Sequence, residues 1–256
     1  MDNPPKPVRP LGRWGALVIV DEPPFELAVV FADADAQALV SRLIERGQQR
    51  GCLRPFRWLS RRDAMRDSFV TRPRDVVELL VDRRATPRPR VMLLWDHAGS
   101  GREGDAPEVV EAEMRSALGA LVQPSELCIA AFVPEVEVCL IPVWARVKQV
   151  MAQHRDRLPP DDSAVLRAAV RLQRRERRPK PLAADFDVAA RESPKEIFEG
   201  LLADLNLRSG SRHFEDLANA LSIPALKQDT ALGRVAEALV RWFPGDAGAL
   251  TPGERS

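Results

Sequence analysis

Carboxylates stand at the ends of three apolar runs. Asp33 and Asp35 follow Val29-Val30-Phe31, Asp96 follows Val91-Met92-Leu93-Leu94-Trp95, and Glu135 and Glu137 follow the run 129–133. If these runs are neighbouring strands, their acids meet at one edge of a sheet. Such oxygen donors suit Mg²⁺, which is held by carboxylates, water and substrate phosphate. The same residues also fit a structural part. Asp33, Asp35 and Asp96 are of the type that caps helices and turns, and glutamates favour the positive end of a helix.

Other reactive groups are sparser. His97 lies beside Asp96, a pairing that suits a general base or a ligand, but it also fits a plain loop residue. His154 and His213 form no HxxxH or HExxH spacing, and Cys52, Cys128 and Cys139 form no CxxC pair, so no zinc site is expected. Gly99-Ser100-Gly101-Arg102-Glu103-Gly104 lacks the ending of a P-loop and the spacing of a dinucleotide-binding turn. It reads as a flexible loop, with a nucleotide sensor as the weaker alternative. Ser100 has no GxSxG elbow around it. Tyrosine is absent, which excludes tyrosine recombinase and type IA topoisomerase chemistry.

The strongest charge feature is a predicted helix over 163–178. There Arg167, Arg171, Arg174, Arg175, Arg177 and Arg178, with Lys180 just beyond, are opposed only by Glu176. Helical spacing puts several of the arginines on one face. That face could follow a phosphate backbone, meet an acidic protein or a second copy, or simply be solvated.

The elements that must position these groups follow from periodicity. Residues 17–20 and 26–31 read as strands around an Asp21-Glu22-Pro23-Pro24 turn. A helix over 34–46 is expected to stop at Gly47. A strand over 53–59, a short helix over 74–81 and a buried strand over 90–95 come next. Pro107 opens a helix to about residue 121, with Glu108, Glu111 and Glu113 near its positive end. A strand over 127–133 and a helix over 135–153 complete this part. Strands alternating with helices predict an α/β domain with a mostly parallel sheet, whose ligands bind outside the carboxyl ends of the strands. Ser193-Pro194-Lys195-Glu196 reads as a capping box, and helices over 213–221 and 230–242 follow. The expected organisation is a flexible arm (1–13), an α/β domain (14–158), the basic helix and linker (159–185), a helical C-terminal part (186–247) and a tail (248–256).

Composition sets outer bounds. The 256 residues are 45% hydrophobic and 29% charged, enough for a sizeable core under a charged surface. Net charge is +1, so the chain as a whole has no bulk attraction for nucleic acid. Of its 38 basic residues only 5 are Lys, an arginine bias that high-GC codon usage or bidentate anion pairing would each produce. The longest apolar run spans about seven residues, against roughly 20 for a membrane helix, so no membrane contact is expected. Three cysteines do not make a disulfide scaffold, and the polar opening Met1-Asp2-Asn3-Pro4-Pro5 is unlike a secretory leader. The expected location is the cytoplasm.

Three segments, in order, carry a resemblance. They are Val30-Phe31-Ala32-Asp33-Ala34-Asp35, then Trp95-Asp96-His97, then Val133-Pro134-Glu135-Val136-Glu137-Val138. The pattern resembles the TOPRIM-like families linked to phage defence and to overcoming-lysogenization-defect nucleases. Their strands end in Val-Glu-Gly-x-x-Asp, Asp-x-Asp and Pro-Glu-x-Glu-x-Trp-Leu type segments. The tail, with Ser193-Pro194-Lys195-Glu196, Phe214-Glu215-Asp216-Leu217-Ala218 and Ile223-Pro224-Ala225-Leu226, looks like the helical end of an uncharacterised subgroup. Some members of that subgroup sit in methylation-associated phage-defence operons.

The resemblance implies a TOPRIM-like, Rossmann-like sheet with flanking helices and a defence role beside other subunits; the basic helix separately offers Arg167, Arg171, Arg174, Arg175 and Arg178 as contacts for DNA or a protein partner. The chain departs from the pattern at two acids. The first glutamate falls on Phe31 and the second acid of Asp-x-Asp on Ala98; Glu22 is a candidate substitute for the former. Asp96, Glu135 and Glu137 carry over, Asp35 more weakly. The expectation is a degenerate, non-catalytic scaffold with no cofactor. The alternative is a Mg²⁺-dependent nuclease or phosphodiesterase with Asp96, Glu135 and Glu137 catalytic, and Asp96, Glu135 and Asp35, or Asp33, around the metal.

Overall fold

The computed structural model describes residues 25–62, 68–74, 89–176, 181–221 and 228–246. The predicted strand over 17–20, Glu22, the predicted helix beyond Arg74, Arg177, Arg178, Lys180, the arm 1–13 and the tail 248–256 lie outside the described residues.

Four strands make one sheet: β1 (Leu27–Phe31), β2 (Trp58–Arg62), β3 (Arg90–Asp96) and β4 (Leu127–Phe132). Their order is β2-β1-β3-β4, and every pairing is parallel. The fold is α/β, with a described sheet that is wholly rather than mostly parallel. β1, β3 and β4 are buried on both faces, which is why they stand in the sequence as unbroken apolar runs. The strand expected over 53–59 begins only at Trp58. Pro55 interrupts it, since proline has no N–H for the ladder. Leu53 instead makes an isolated antiparallel bridge to Pro244.

On one face of the sheet lies α1 (Ala34–Gln49), which runs through Gly47 instead of stopping there. A Cβ at Gly47 would lie 2.7 Å from the Leu53 side chain, so the glycine serves a close approach. A single turn, α2 (Ser68–Thr71), precedes β3. The other face carries α3 (Pro107–Leu118), whose Val110, Met114 and Leu118 pack on Val91, Leu93, Trp95 and Ile129. The helix expected over 135–153 is split. Val136–Val143 is a 3₁₀ segment containing Pro142, and α4 (Trp144–Gln153) follows. Pro142 cannot donate to an α-helical ladder, and that accounts for the break.

Five more helices follow among the described residues: α5 (Asp162–Glu176), α6 (Phe186–Glu192), α7 (Pro194–Asp204), α8 (Arg212–Ala220) and α9 (Thr230–Trp242). They share one hydrophobic cluster with Val29, Phe31, Met92, Leu94 and Phe132 of the sheet, so the C-terminal helices cover the same face as α1. Arg46 of α1 is buried there. Its guanidinium donates to the carbonyls of Ala218 and Leu221, where the negative end of α8 favours a cation. No helix among the described residues is long and apolar enough to cross a membrane.

At the α5–α7 crossing the two helices approach closely. A Cβ at Gly200 would fall 2.7 Å from the Ala169 Cβ and 2.8 Å from the Val165 carbonyl oxygen. Gly200→Ala is therefore expected to destabilise by about 1–3 kcal/mol, the range for overpacking a tight core. Gly104 meets nothing within 4 Å, and Gly104→Ala should stay within about 0.5 kcal/mol. Equal urea midpoints for the two variants would refute the packing account.

Candidate functional site

The chain leaves β1 toward β2 and returns on the other side as β3. In such sheets the crevice beyond the carboxyl ends of the two strands, where the order reverses, is the place for a ligand. A cavity of about 150 Å³ lies there, with Asp33, Trp95, Asp96, Ser100, Glu135 and Lys195 in its wall. Backbone bonds tie its rim together. The N–H of Ala32 donates to Leu94, that of His97 to Phe132 and that of Ala98 to Pro134, at 2.8–2.9 Å. The acids that follow β1, β3 and β4 are thus held at one edge.

Their parts differ. Asp33 is the N-cap of α1; its carboxylate accepts from the N–H groups of Asp35 (3.0 Å) and Ala36 (2.8 Å). For Asp33 the structural reading holds. Asp35, in the first turn, is half-buried, and burial followed by the Asp33 charge pushes it up to about 6. Asp96 is pushed well above its ordinary range by burial, then by Asp33, Glu137 and Glu135. One Asp96 oxygen, Oδ1, has no hydrogen-bond partner. Glu137 is only 5% exposed; burial, then the Glu135 charge, raises it to about 8. Glu135 is raised by burial against the pull of Lys195.

Lys195 is the cation of this site, and the sequence reading missed it. Its Nζ lies 3.2 Å from Glu135 Oε1. Burial works to lower it, but Glu135 and Glu137 hold it above its ordinary value. The capping box expected around it does not form, since the Ser193 side chain makes no cap bond. A lysine in the first turn of α7 opposes the helix dipole. That mismatch was the available signal of a partner elsewhere. The acids converge electrostatically, yet among the described residues no three of their carboxylates bring ligand atoms within 4.8 Å of one another.

The neighbouring loop is not the free glycine-rich segment expected. Ser100 is buried; its Oγ donates to the His97 carbonyl and accepts from the Arg102 N–H. Arg102 bridges Asp105 at 2.6 Å and Glu113 at 2.9 Å, and His97 Nε2 lies 2.9 Å from the Asp105 carbonyl oxygen. Gly99 and Gly101 take left-handed φ values of 79° and 75°, which suits glycine. Elsewhere, Arg167, Arg171, Arg174 and Arg175 are all exposed on α5, whose Val165, Ala168 and Ala169 are buried. Arg178 lies outside the described residues. All three cysteines are free, and burial raises the Cys128 thiol to about 11, which leaves it inert.

In comparisons with known proteins, this chain matches no protein-family model, no curated protein and no solved structure.

Proposed function

We propose that this chain is a non-catalytic, TOPRIM-like scaffold or adaptor of a bacterial anti-phage defence complex, binding protein partners and, through α5, DNA. The observation that carries the non-catalytic part is Lys195. Its ammonium contacts Glu135 and acts on Asp96, Asp35 and Glu137, so the positive charge that a nuclease would take from Mg²⁺ is supplied by the chain itself. Mg²⁺ demands near-octahedral oxygen ligands at about 2.1 Å. Two acids of the resembled pattern are replaced by Phe31 and Ala98, and among the described residues no three of the remaining acids bring ligand atoms within 4.8 Å of one another. No catalytic step is assigned to Asp96, Glu135 or Glu137. The parallel sheet and the placing of its acids support the TOPRIM-like reading. The defence context rests on the resemblance of the strand-end and tail segments, and DNA on the exposed arginines.

Calorimetry with Mg²⁺ and Mn²⁺, joined to cleavage assays on DNA and RNA, tests this reading. Neither cleavage nor any metal binding that Asp96→Ala removes is expected. Metal-dependent cleavage that vanishes in Asp96→Ala would overturn it in favour of a nuclease. For the arginine face, changing Arg171 and Arg174 of α5 together with Arg178, which lies outside the described residues, to Ala should weaken DNA binding and flatten its salt dependence, by roughly 0.9 log units for each phosphate that is no longer neutralised. An unchanged slope removes DNA from that face.

A further inference from the structure

Away from the strand-end cavity, the fold joins groups that the sequence keeps far apart. His154 caps the C-terminal end of α4, while His213 and Asp216 stand three residues apart on α8 and so share one face. One ligand atom from each residue comes within 4.8 Å of the other two. His154 Nε2 and Asp216 Oδ2 are 3.5 Å apart. Two ligand atoms about 2.1 Å from a tetrahedral zinc lie about 3.4 Å from each other, so this pair already has the spacing that a shared ion would impose.

The hydrogen bonding points the same way. His213 Nε2 is 2.8 Å from the carbonyl oxygen of Arg208. A carbonyl only accepts, so Nε2 is the donor, and in the neutral ring it is Nδ1 that offers the lone pair. Metal-bound histidines are oriented in this manner, the second nitrogen donating to a backbone carbonyl. His213 Nδ1 and Asp216 Oδ2 are both cut off from solvent and have no hydrogen-bond partner. Orphaned buried atoms are rare in folded proteins, and an ion is one of the few things that satisfies a nitrogen and a carboxylate oxygen together. A plain ion pair between His154 and Asp216 would leave His213 Nδ1 unexplained.

We propose that His154, His213 and Asp216 form a binding site for one divalent transition-metal ion of the zinc class, which pins the end of α4 to α8. Two imidazole nitrogens and one carboxylate oxygen suit Zn²⁺ and its neighbours, not Mg²⁺ or Ca²⁺. Three protein ligands leave a coordination position for water. The site is independent of the scaffold reading and survives its failure.

The test is titration of the metal-free, full-length protein with Co²⁺, followed by displacement with Zn²⁺. One equivalent of Co²⁺ should give the visible absorption of a four- or five-coordinate N/O site, and Zn²⁺ should abolish it. Asp216→Asn keeps the side chain's shape, and His154→Gln changes an exposed residue, so both variants should fold as the wild type does by circular dichroism. Each should bind at least about 100-fold more weakly, the upper end of what even losing an outer-shell partner costs. Cys52→Ser should change nothing. Absence of the absorption, thiolate charge-transfer bands, or full affinity in both variants would overturn the proposal.

Discussion

Replacing Glu137 by Gln should make the protein more stable at pH 9 by on the order of 5 kcal/mol and remove much of its alkaline sensitivity. Glu137 is buried beside Glu135, and its folded value stands at about 8 against an ordinary 4.5. A raised value means that the fold holds the proton more tightly than the unfolded chain does. The stability that follows is fully present below pH 4.5 and is lost as the pH climbs through about 8. At about 1.4 kcal/mol per unit, the window amounts to the figure given. Asp35, raised to about 6, and Asp96, raised well above its range, push in the same direction. Wild type is therefore expected to weaken steadily from pH 5 to pH 9 in urea unfolding. Glutamine keeps the shape and cannot ionise, so the variant should lose far less. Parallel losses in the two proteins would show that Glu137 does not titrate as a buried acid.

Such a cluster is costly, which bears on what it is for. Acids whose charge the fold resists are rarely kept for stability alone and are common at functional sites. Here the cost is held down by Lys195, which keeps Glu135 within contact and counters its neighbours.

Much of this layout was legible in the chain. β1, β3 and β4 stand out because strands buried on both faces must be apolar throughout, and the acids at their ends were visible for the same reason. β2 was displaced because Leu53 looked like its start, although Pro55 forbids pairing there. The 3₁₀ segment was hidden because Val136, Cys139 and Leu140 have the apolar spacing of an α-helix, and only Pro142 betrays it. Partners from distant segments were not legible at all. Lys195 meets Glu135, and His154 meets Asp216, through tertiary packing that no local spacing encodes.

Glu111 shows the same limit, and its removal should have the second large effect: Glu111→Ala is expected to cost about 1–3 kcal/mol, the range for leaving a buried donor without its acceptor, since Arg234 itself is partly exposed. In the sequence it reads as one of several acids near the start of a helix. In the fold it is buried and receives both arms of the Arg234 guanidinium, each at 2.7 Å. It also accepts from the Ala131 N–H at 3.1 Å. Among the described residues β4 is an outer strand of the sheet, and the N–H groups on the outer side of such a strand are open to pairing with another chain. Glu111 therefore does two things at once. It closes part of that edge, and it ties α3 to α9 around it. Deleting it leaves a buried N–H without an acceptor and a guanidinium without its counter-charge. Arg234→Ala keeps the Ala131 hydrogen bond but leaves the buried Glu111 carboxylate without its counter-charge, so it should cost a comparable amount in urea unfolding. Aggregation, which reads the strand edge, should rise in Glu111→Ala and not in Arg234→Ala. If it rises equally in both, the ion pair and not the strand edge is what Glu111 is there to serve.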